Sequence, residues 1–355
     1  MTSSRNRIND AFSHKAPDRT PVFEYVLNSD EITKCVLERS ASFLHWEECV
    51  KEKGWEKALE QYACDRLDIA EFFGHDMLYQ VTSPLPMKEV KKTEEKLPET
   101  DDPVEKLERR NKLKREFRTE VASKSMLIYD LLKNEMLRRD IDLPILAPAY
   151  SHGVWTDIDL MQVMLLAPEL AHEHFSLATL NAEILIDEYI KHGIDMLGIG
   201  GDFAGNAPLI SPESYRVFIM PELKKLSNKI HAAGKLAVNA SDGNLWSVID
   251  DFLIGSGVDG YLEIDLHAGM ELKKLKRSYG EQITFLGNLD CGNTLSFASP
   301  EKVRDSVIKC LEDGTGNGGH ILTASNAITE SVPPENYIAV VNAYRDYFSL
   351  EKINL

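Results

Sequence analysis

The sequence predicts a (β/α)8 barrel, the α/β fold in which parallel strands alternate with helices around one closed sheet. Short apolar runs recur along the 355 residues, and most are followed by a helical pattern long enough to connect two parallel strands. Proline-glutamate pairs stand where helices are expected to begin, and glycines where they are expected to end. The apolar runs end on polar residues, as the catalytic rim of a barrel requires, at Glu24, Asp76, Tyr150, Asp202, Asn239, Glu263, Asp290 and Asn326.

The first two strand–helix units are expected in the amino-terminal part of the chain. A short amphipathic helix is predicted at 5–13, and a proline-containing turn leads from it into the first strand at 22–26. Residues 29–73 have a helical pattern, and a short apolar run around Met77 and Leu78 follows. The barrel is therefore expected to begin with a helical extension.

A charged segment interrupts the pattern at about 88–118. Its composition turns to Lys, Glu, Arg and Asp, with Pro98 and Pro103 as breakers of regular structure. Such a composition cannot bury enough apolar surface to form part of a core. We predict a solvated insertion, an exposed hairpin or helix; the alternative is a docking surface for a partner protein.

Six further strand–helix units follow the charged segment. The predicted strands are 144–149, 196–200, 236–239, 260–264, 283–287 and 320–324. The predicted helices are 168–192, 213–233, 244–256, 269–278, 300–313 and 334–348. With the two amino-terminal units they make eight, so we expect a single barrel domain over residues 1–355.

The charge and cysteine content of the chain argue against several kinds of binding partner and metal site. The net charge is −17, so a chain without a basic cluster outside its mixed-charge segment is not expected to bind nucleic acid or an anionic membrane. The five cysteines form no CxxC pair, so neither a disulfide framework nor a four-thiolate metal site is expected. The sequence has no apolar run of spanning length and no recognisable targeting segment, which predicts a cytoplasmic protein.

Three segments resemble a known superfamily in the same order along the chain. They are RNRINDAFSHKAPDRTPV near the amino terminus, ASDGNLWSVIDDFLIGSGVDGYLEID in the middle and TASNAITESVPPENYIAVVNAYRDYF near the carboxyl terminus. They are similar to the uroporphyrinogen decarboxylase superfamily, which also contains the cobalamin-linked methyltransferases of methylotrophic and O-demethylating anaerobes. The resemblance covers nearly the whole chain and implies the same barrel.

Two branches of the superfamily fit this sequence poorly. Porphyrinogen decarboxylases follow the first strand with an arginine-rich stretch, whereas residues 23–28 contain no arginine and an acidic rim would repel a polycarboxylate. The thiol-methylating enzymes hold zinc with a His-x-Cys pair and a later Cys. The matching positions here are Ala240, Asp242 and Asn326, and only Asp242 is a suitable zinc ligand.

The branch that takes a methyl group from an aryl methyl ether, a methylamine or a similar donor resembles this chain best. The resemblance implies transfer to the Co(I) of a corrinoid protein, so cobalamin would be carried by that partner, with zinc possible in the barrel. A Lewis-acid metal or a proton donor must assist the leaving heteroatom. The candidates for catalysis are Asp202, Glu263 and His152, and those for a metal are Asp202, Glu263 and His267.

Each candidate also has a structural explanation. Asp202 follows a glycine pair that lets backbone approach a ligand, and Glu263 is a carboxylate in an otherwise apolar strand, costly to bury without a partner. His152 and His267 are equally typical of loop histidines, and Asp242 is typical of a helix cap. The residues expected to line the substrate are Glu24, Asp76, Tyr150, Asn239, Asp242, Asp290 and Asn326.

Two other functions remain open at this point. A decarboxylase acting on a porphyrinogen-like or smaller acid is favoured if Arg109, Arg110 or Arg115 folds over the rim. A non-catalytic barrel that handles a cofactor is the other alternative, because the zinc ligands of the thiol-methylating branch are missing. A homodimer is possible, and the identity of the methyl donor is left open by the sequence.

Overall fold

The computed structural model describes residues 2–86, 100–116 and 120–353. Its strands are β1 Leu27–Asn28, β2 Leu78–Tyr79, β3 Ile145–Ser151, β4 Met196–Gly200, β5 Leu236–Ala240, β6 Gly260–Leu262, β7 Thr284–Leu286, β8 His320–Ile321 and β9 Ile328–Thr329. Its α-helices are α1 Ser4–Phe12, α2 Asp30–Leu37, α3 Trp46–Lys53, α4 Trp55–Phe73, α5 Pro103–Glu116, α6 Leu127–Arg139, α7 Ile158–Leu166, α8 Pro168–Lys191, α9 Pro212–Ser214, α10 Met220–Ala232, α11 Leu272–Tyr279, α12 Pro300–Gly314 and α13 Pro334–Tyr347. Short π-helical turns lie at Tyr215–Ile219, Asp251–Gly255 and Cys291–Leu295.

The chain divides into two compact units. The first unit comprises residues 1–80, 127–146 and 260–355, and the second comprises 81–126 and 147–259. Strand β3 begins in the first unit and ends in the second. Each unit has its own pairs of parallel strands, with helices between them along the chain.

In the first unit, parallel pairing follows the order of the chain. β2 pairs with the beginning of β3, β6 pairs with β7, and β7 pairs with β8. The predicted first strand, 22–26, is reduced to an isolated parallel bridge between Val22 and Leu322, and the carbonyl of Val22 accepts a hydrogen bond from the amide of Asp76. Val22 thus occupies the position of the first barrel strand, between the second and the last. β1 and β9 form a separate parallel pair.

The second unit contains the fourth and fifth strands of the predicted barrel. β4 and β5 pair in parallel from Met196 and Leu236 onwards. The amide of His152, just past the end of β3, donates to the carbonyl of Gly200, and the amide of Gly201 donates to the carbonyl of Ala240. These two bonds hold the three strand ends of this unit in register.

The predicted α/β class is confirmed by the alternation of strands and helices. Five predicted helices appear close to their expected limits, as α8, α9 with α10, α11, α12 and α13, whereas the predicted helix 244–256 is shortened to a π-helical turn at Asp251–Gly255. Pro168, Pro212, Pro300 and Pro334 open helices in the first turn, where a missing N–H costs nothing. Among the described residues, no helix is both long and apolar enough to cross a membrane.

The charged segment is only partly as expected. Residues 88–99 and 117–118 lie outside the described residues, but 103–116 form helix α5, which packs on α7 and α8. Leu107 and Asn111 are fully buried there, and the Asn111 amide donates to the carbonyl of Leu170. A helix is one of the two forms predicted for this segment, and α5 leaves most of its residues exposed or half-buried. It differs from the expectation in that one apolar and one hydrogen-bonded polar residue fix one of its faces. The single-domain assignment stays a prediction.

Candidate active site

Some of the polar residues near the strand ends lie together, in a separate group in each unit. In the first unit, the phenol rings of Tyr25 and Tyr79 meet edge to face with their centroids 4.5 Å apart. The Tyr25 hydroxyl is hydrogen-bonded with Tyr79 and with the carboxylate of Glu263. Burial, followed by the neighbouring charge of Glu263, raises the pKa of Tyr25 well above its ordinary value. Tyr25 is therefore a neutral phenol, able to donate a hydrogen bond.

Glu263 directly follows β6 and has a left-handed backbone. Its φ is +70°, a conformation that residues with a Cβ adopt at a cost of about 1 to 3 kcal/mol. Strain of this kind is retained where the surroundings fix the residue, and it is concentrated at functional sites. The conformation carries the carboxylate to Tyr25, at the end of β6 where the sequence predicts a ligand-facing group.

Glu24 was expected to line the substrate, but its side chain is buried against Thr323 and Tyr337. Its carboxylate accepts hydrogen bonds from the hydroxyl of Thr323 and the amide of Tyr25, both at 3.2 Å, and it also bonds with the hydroxyl of Tyr337 in α13. Burial raises the pKa of Glu24 to about 8, so the group is largely protonated at neutral pH. Glu24 faces helix α13, and its neighbour Tyr25 makes the contacts with Glu263.

Glu24 belongs to a longer set of buried, hydrogen-bonded side chains in the first unit, which also contains Tyr337 and His75. The Tyr337 hydroxyl lies 3.4 Å from Nε2 of His75. Burial, and then the nearby Arg66, lowers the pKa of His75 to about 3, so the imidazole is neutral. The three groups form a buried chain of neutral hydrogen-bonding side chains.

Asp76 lies at the wrong end of its strand to bind a substrate at the rim. It precedes β2 instead of following it, and it is fully buried. Its two carboxylate oxygens bind Arg7 at 3.2 Å and Arg19 at 2.6 and 2.9 Å, and they also accept from the amide of Val22. Asp76 therefore ties α1 and the following turn to the amino-terminal end of the strands, which corrects its predicted role.

Three other predicted residues of the first unit have local roles or are exposed. Asp290 caps the turn that begins at Cys291, accepting from the amides of Asn293 and Thr294. The side-chain oxygen of Asn326 accepts from the amide of Ala327 at 2.6 Å. His267 is an exposed loop residue. None of these contacts involves Tyr25 or Glu263.

In the second unit, Asp202 and Asp242 lie together at the ends of β4 and β5. The carboxylate of Asp202 accepts a hydrogen bond of 3.0 Å from the amide of Asp242. The approach of the two loops depends on glycine: a Cβ on Gly200 would lie 2.3 Å from the Asn239 side-chain oxygen, and one on Gly243 would lie 2.4 Å from the Ala204 carbonyl oxygen. The glycines thus set the position of Asp202, as the sequence pattern suggests.

His152 has the contacts of a structural loop histidine. Its Nδ1 accepts from the amide of Val154 at 3.3 Å, its ring also bonds the backbone of Gly201, and it packs edge-on against Phe203. Burial lowers the pKa of His152 to about 4, so it is neutral at physiological pH. These bonds to backbone agree with the structural explanation of His152.

Asn239 is buried in the second unit, and Tyr150, near the end of β3, lines a cavity of the same unit. The Asn239 amide donates to the carbonyl of Phe252, and its oxygen accepts from the amide of Ala240. The Tyr150 hydroxyl lies beside Thr179, and burial raises its pKa. Both residues fix the ends of their strands, whatever else they contact.

The donor groups do not fit a bound metal. Within residues 2–86, 100–116 and 120–353, no three His, Cys, Asp or Glu side chains are grouped as metal ligands would be. Ala240, at a position of the zinc-ligand pattern, offers no side-chain donor. The side chains present can act through hydrogen bonds and charge.

Sequence reasoning missed Tyr25 and Tyr79. Tyr25 follows Glu24, which was predicted at the rim, and Tyr79 follows Leu78, which was predicted in a strand. Neighbouring residues of a strand point to opposite faces. A strand end that is assigned one position too early therefore selects a packed residue in place of the residue at the rim. Two tyrosines at the ends of adjacent predicted strands were the pattern that could have identified them.

Comparison with known proteins places the chain in a family. The family model "Uroporphyrinogen decarboxylase (URO-D)" matches residues 156–347, more than half of the chain. Curated uroporphyrinogen decarboxylases are similar, one from Ruthia magnifica subsp. Calyptogena magnifica at 28% identity over 174 residues and one from Geobacter metallireducens at 27% over 187 residues. The matches cover 47% and 53% of this chain and 47% and 52% of the respective relatives, so the chain spans about half the length of the curated relatives.

A solved structure extends the likeness to the whole fold. A methyltransferase from Methanosarcina mazei superimposes with a TM-score of 0.70, covering 98% of this chain and 100% of that chain at 18% sequence identity. At that identity the likeness shows a shared fold, of the barrel type that the sequence predicts. Together with the family match, it supports one conclusion: the chain belongs to the uroporphyrinogen decarboxylase family.

Proposed function

We propose that this protein is a methyltransferase that moves a methyl group from a small methylated donor to the Co(I) of a corrinoid protein. The observation that carries the proposal is the contact between Glu263, in its left-handed conformation, and the neutral phenol of Tyr25. The phenol keeps its single proton, and the carboxylate, as acceptor, holds that proton at a fixed place in the site. Methyl transfer from oxygen or nitrogen needs such a group at the leaving atom.

In this reaction the two substrates make and break the bonds to carbon, and the protein supplies hydrogen bonds. An electron pair of Co(I) forms the bond to the methyl carbon, and the pair of the carbon–heteroatom bond remains on the heteroatom. Negative charge therefore develops on the heteroatom as the bond breaks. Before the donor binds, Glu263 accepts the single O–H of Tyr25 and so holds it in place. As negative charge develops, this O–H turns from Glu263 and donates its hydrogen bond to the heteroatom; a proton from solvent completes the demethylated product.

The charges around both clusters favour a donor without several carboxylates. Glu263 in the first unit and Asp202 with Asp242 in the second are acidic. The arginines proposed for a decarboxylase are engaged elsewhere: Arg109 pairs with Glu105, Arg110 with Asp157 and Arg115 with Glu173. An anionic polycarboxylate would have to displace these pairs, whereas a neutral or cationic methyl donor would not.

Similarity supports both the proposal and its main alternative. The shared fold with the Methanosarcina mazei protein, described as a methyltransferase, supports methyl transfer. The curated relatives are described as uroporphyrinogen decarboxylases, which supports a carboxy-lyase. The fold does not distinguish them, because a fold of this kind hosts many reactions, and the acidic residues described above favour methyl transfer.

The test is an anaerobic spectrophotometric assay. The protein is mixed with Co(I) cobalamin and, separately, an aryl methyl ether, a methylamine or methanol, and formation of methyl-Co(III) is followed. We expect conversion with one donor class, and a rate lower by about 100-fold or more in Glu263→Gln. Tyr25→Phe, which retains the ring and removes the donor, should fall by a similar factor. Glu281→Gln, an equal charge change at an exposed turn, serves as the control and should be unaffected.

Three results would reject the proposal. Carbon dioxide release from uroporphyrinogen, with no methyl transfer from any donor, would establish the decarboxylase. Absence of both reactions, even with corrinoid proteins supplied in place of free cobalamin, would leave the non-catalytic barrel. Equal rates in Glu263→Gln, Tyr25→Phe and the control would show that the chemistry lies elsewhere in the chain.

A further inference from the structure

A cavity of about 490 Å³ lies in the second unit, beside the carboxyl end of β3. All residues that line it belong to this unit, so neither Tyr25 nor Glu263 takes part. Its volume is within the range of about 300 to 1,000 Å³ that is typical of small-molecule sites. No step of the methyl transfer proposed above uses this cavity.

One side of the cavity is apolar and made of small side chains. Ala149 at the end of β3 faces Ala182 and Leu185 of α8. Alanines leave room between a strand and a helix where larger residues would fill it. A flat apolar body, such as one aromatic ring, has the shape that such a wall accommodates.

Among the described residues that line the cavity, the lysine is Lys114, near the end of α5. Its ammonium group lies 3.4 Å from Nε2 of His174, whose Nδ1 lies 3.0 Å from the side-chain oxygen of Asn111. Burial, and then the charges of Lys114 and Arg110, lowers the pKa of His174 to about 4, so the neutral ring accepts from the lysine. This chain of bonds fixes the position of the ammonium group and uses one of its three N–H donors.

The remaining lining adds hydrogen-bonding groups and one carboxylate. Asn181 of α8 and Ser151 at the end of β3 are polar, and Glu120 is exposed. A lysine that is partly removed from water gains more from an anionic ligand than a fully exposed lysine does. Glu120 would oppose a large polyanion, so a ligand with a single acidic group fits this lining best.

We infer that this cavity is a binding site for a small organic monoanion, with its acidic group at Lys114 and its apolar body against Ala149, Ala182 and Leu185. The site lies at the catalytic end of β3 but is built only from the second unit. Binding there does not depend on the methyltransferase activity being correct. An aromatic monocarboxylate is the simplest ligand of this class.

Calorimetric titration of the full chain with benzoate tests the site, with benzamide as the neutral ligand of equal shape. We expect one benzoate per chain, with an affinity at least tenfold above that of benzamide. Lys114→Met keeps the length of the side chain without its charge and should weaken benzoate binding at least tenfold. Lys112→Met, two residues away on an exposed part of α5, is the matched control and should bind as the wild type does.

A second variant tests the cavity independently, in case Lys114→Met does not fold. Ala182→Leu fills the apolar wall and should weaken benzoate and benzamide alike, at least tenfold, with an unchanged circular dichroism spectrum. The inference is overturned if benzoate does not bind, if benzamide binds equally well, or if Lys112→Met weakens binding as much as Lys114→Met. Binding that survives Ala182→Leu would also place the ligand outside this cavity.

Discussion

Two carboxylates at opposite ends of the strands in the first unit show how differently one fold treats the same functional group. Asp76, before β2, is fully buried and bound by two arginines and a backbone amide. Glu263, after β6, has a left-handed backbone and meets the phenol of Tyr25. One carboxylate is neutralised by partners from α1 and the following turn, and the other is kept in a costly conformation.

The difference follows the division of labour known for barrel folds. Residues at the amino-terminal ends of the strands contribute mainly to stability, and residues at the carboxyl ends contribute to activity. Asp76 should therefore matter for unfolding and not for turnover, whereas Glu263 should matter for turnover and not for unfolding. Glu24, at the carboxyl end of the first strand position and without an ion-pair partner, is an intermediate case.

The largest effect is expected from Asp76→Asn. The substitution leaves Arg7 and Arg19 without their shared carboxylate in a buried place, which costs about 3 to 5 kcal/mol for a broken buried ion pair. Urea denaturation followed by circular dichroism measures the loss. The rate per folded molecule should remain that of the wild type.

The control for Asp76 is Asp142→Asn at the exposed pair with Arg5. The side chains of that pair are 57% and 35% exposed, so its loss should cost less than about 1 kcal/mol. Equal destabilisation by the two variants would mean that the buried network at Asp76 has no special role.

The next effect is a pH dependence that originates at Glu24. Its folded pKa of about 8 lies above the ordinary value of 4.5, so its contribution to stability is complete below about pH 4.5 and is lost as the pH rises towards 8. One proton changes stability by at most about 1.4 kcal/mol per pH unit. Between pH 5.5 and 7.5 the wild type should lose about 2 to 3 kcal/mol relative to Glu24→Gln, whose amide does not titrate.

Denaturation of both proteins across this pH range isolates the contribution of Glu24, because the other titrating groups cancel in the difference. Parallel stability curves for the two proteins would mean that Glu24 is ionised in the folded state. In that case a cation, not protonation, would have to compensate its burial.

The smallest effect on stability is expected from Glu263→Gly. Glycine adopts a positive φ without strain, which offsets the lost hydrogen bond to Tyr25, so the free energy of unfolding should stay within about 1 kcal/mol of the wild type. Methyl transfer should nevertheless fall about 100-fold or more. Destabilisation as large as that of Asp76→Asn would show that Glu263 is structural and would remove the contrast between the two ends.

Much of the fold could be predicted because it depends on patterns within single segments. The alternation of apolar runs with amphipathic helices identified α8, α12 and α13 and the strands before them. Asp76 was misplaced because it stands before the apolar run around Met77 and Leu78, not after it. Residues 55–73 were expected to be helical, and the strand itself begins only at Leu78, so Asp76 lies at the amino-terminal end of its strand.

The site was harder to predict than the fold because it depends on which face of a short strand points where. Asp202 and Glu263 were singled out because glycines or an apolar context made them unusual, and their roles stay predictions. Tyr25 was missed since the first strand is only a bridge at Val22, too short for alternation to assign its faces. The packing of α5 depends on hydrogen bonds from Asn111 to α8, which no local pattern records.

The glycines around Asp202 also limit how this protein can be engineered. At Gly200 and Gly243, any other residue would place its Cβ within 2.3 and 2.4 Å of an oxygen of the facing loop. Directed evolution towards a new donor will therefore reject nearly all substitutions at these two positions, whatever the selection. Substitutions should instead be introduced at exposed neighbours such as Ser151 and Asn206. A library at these positions can change the ligand contacts and leave the loop scaffold intact.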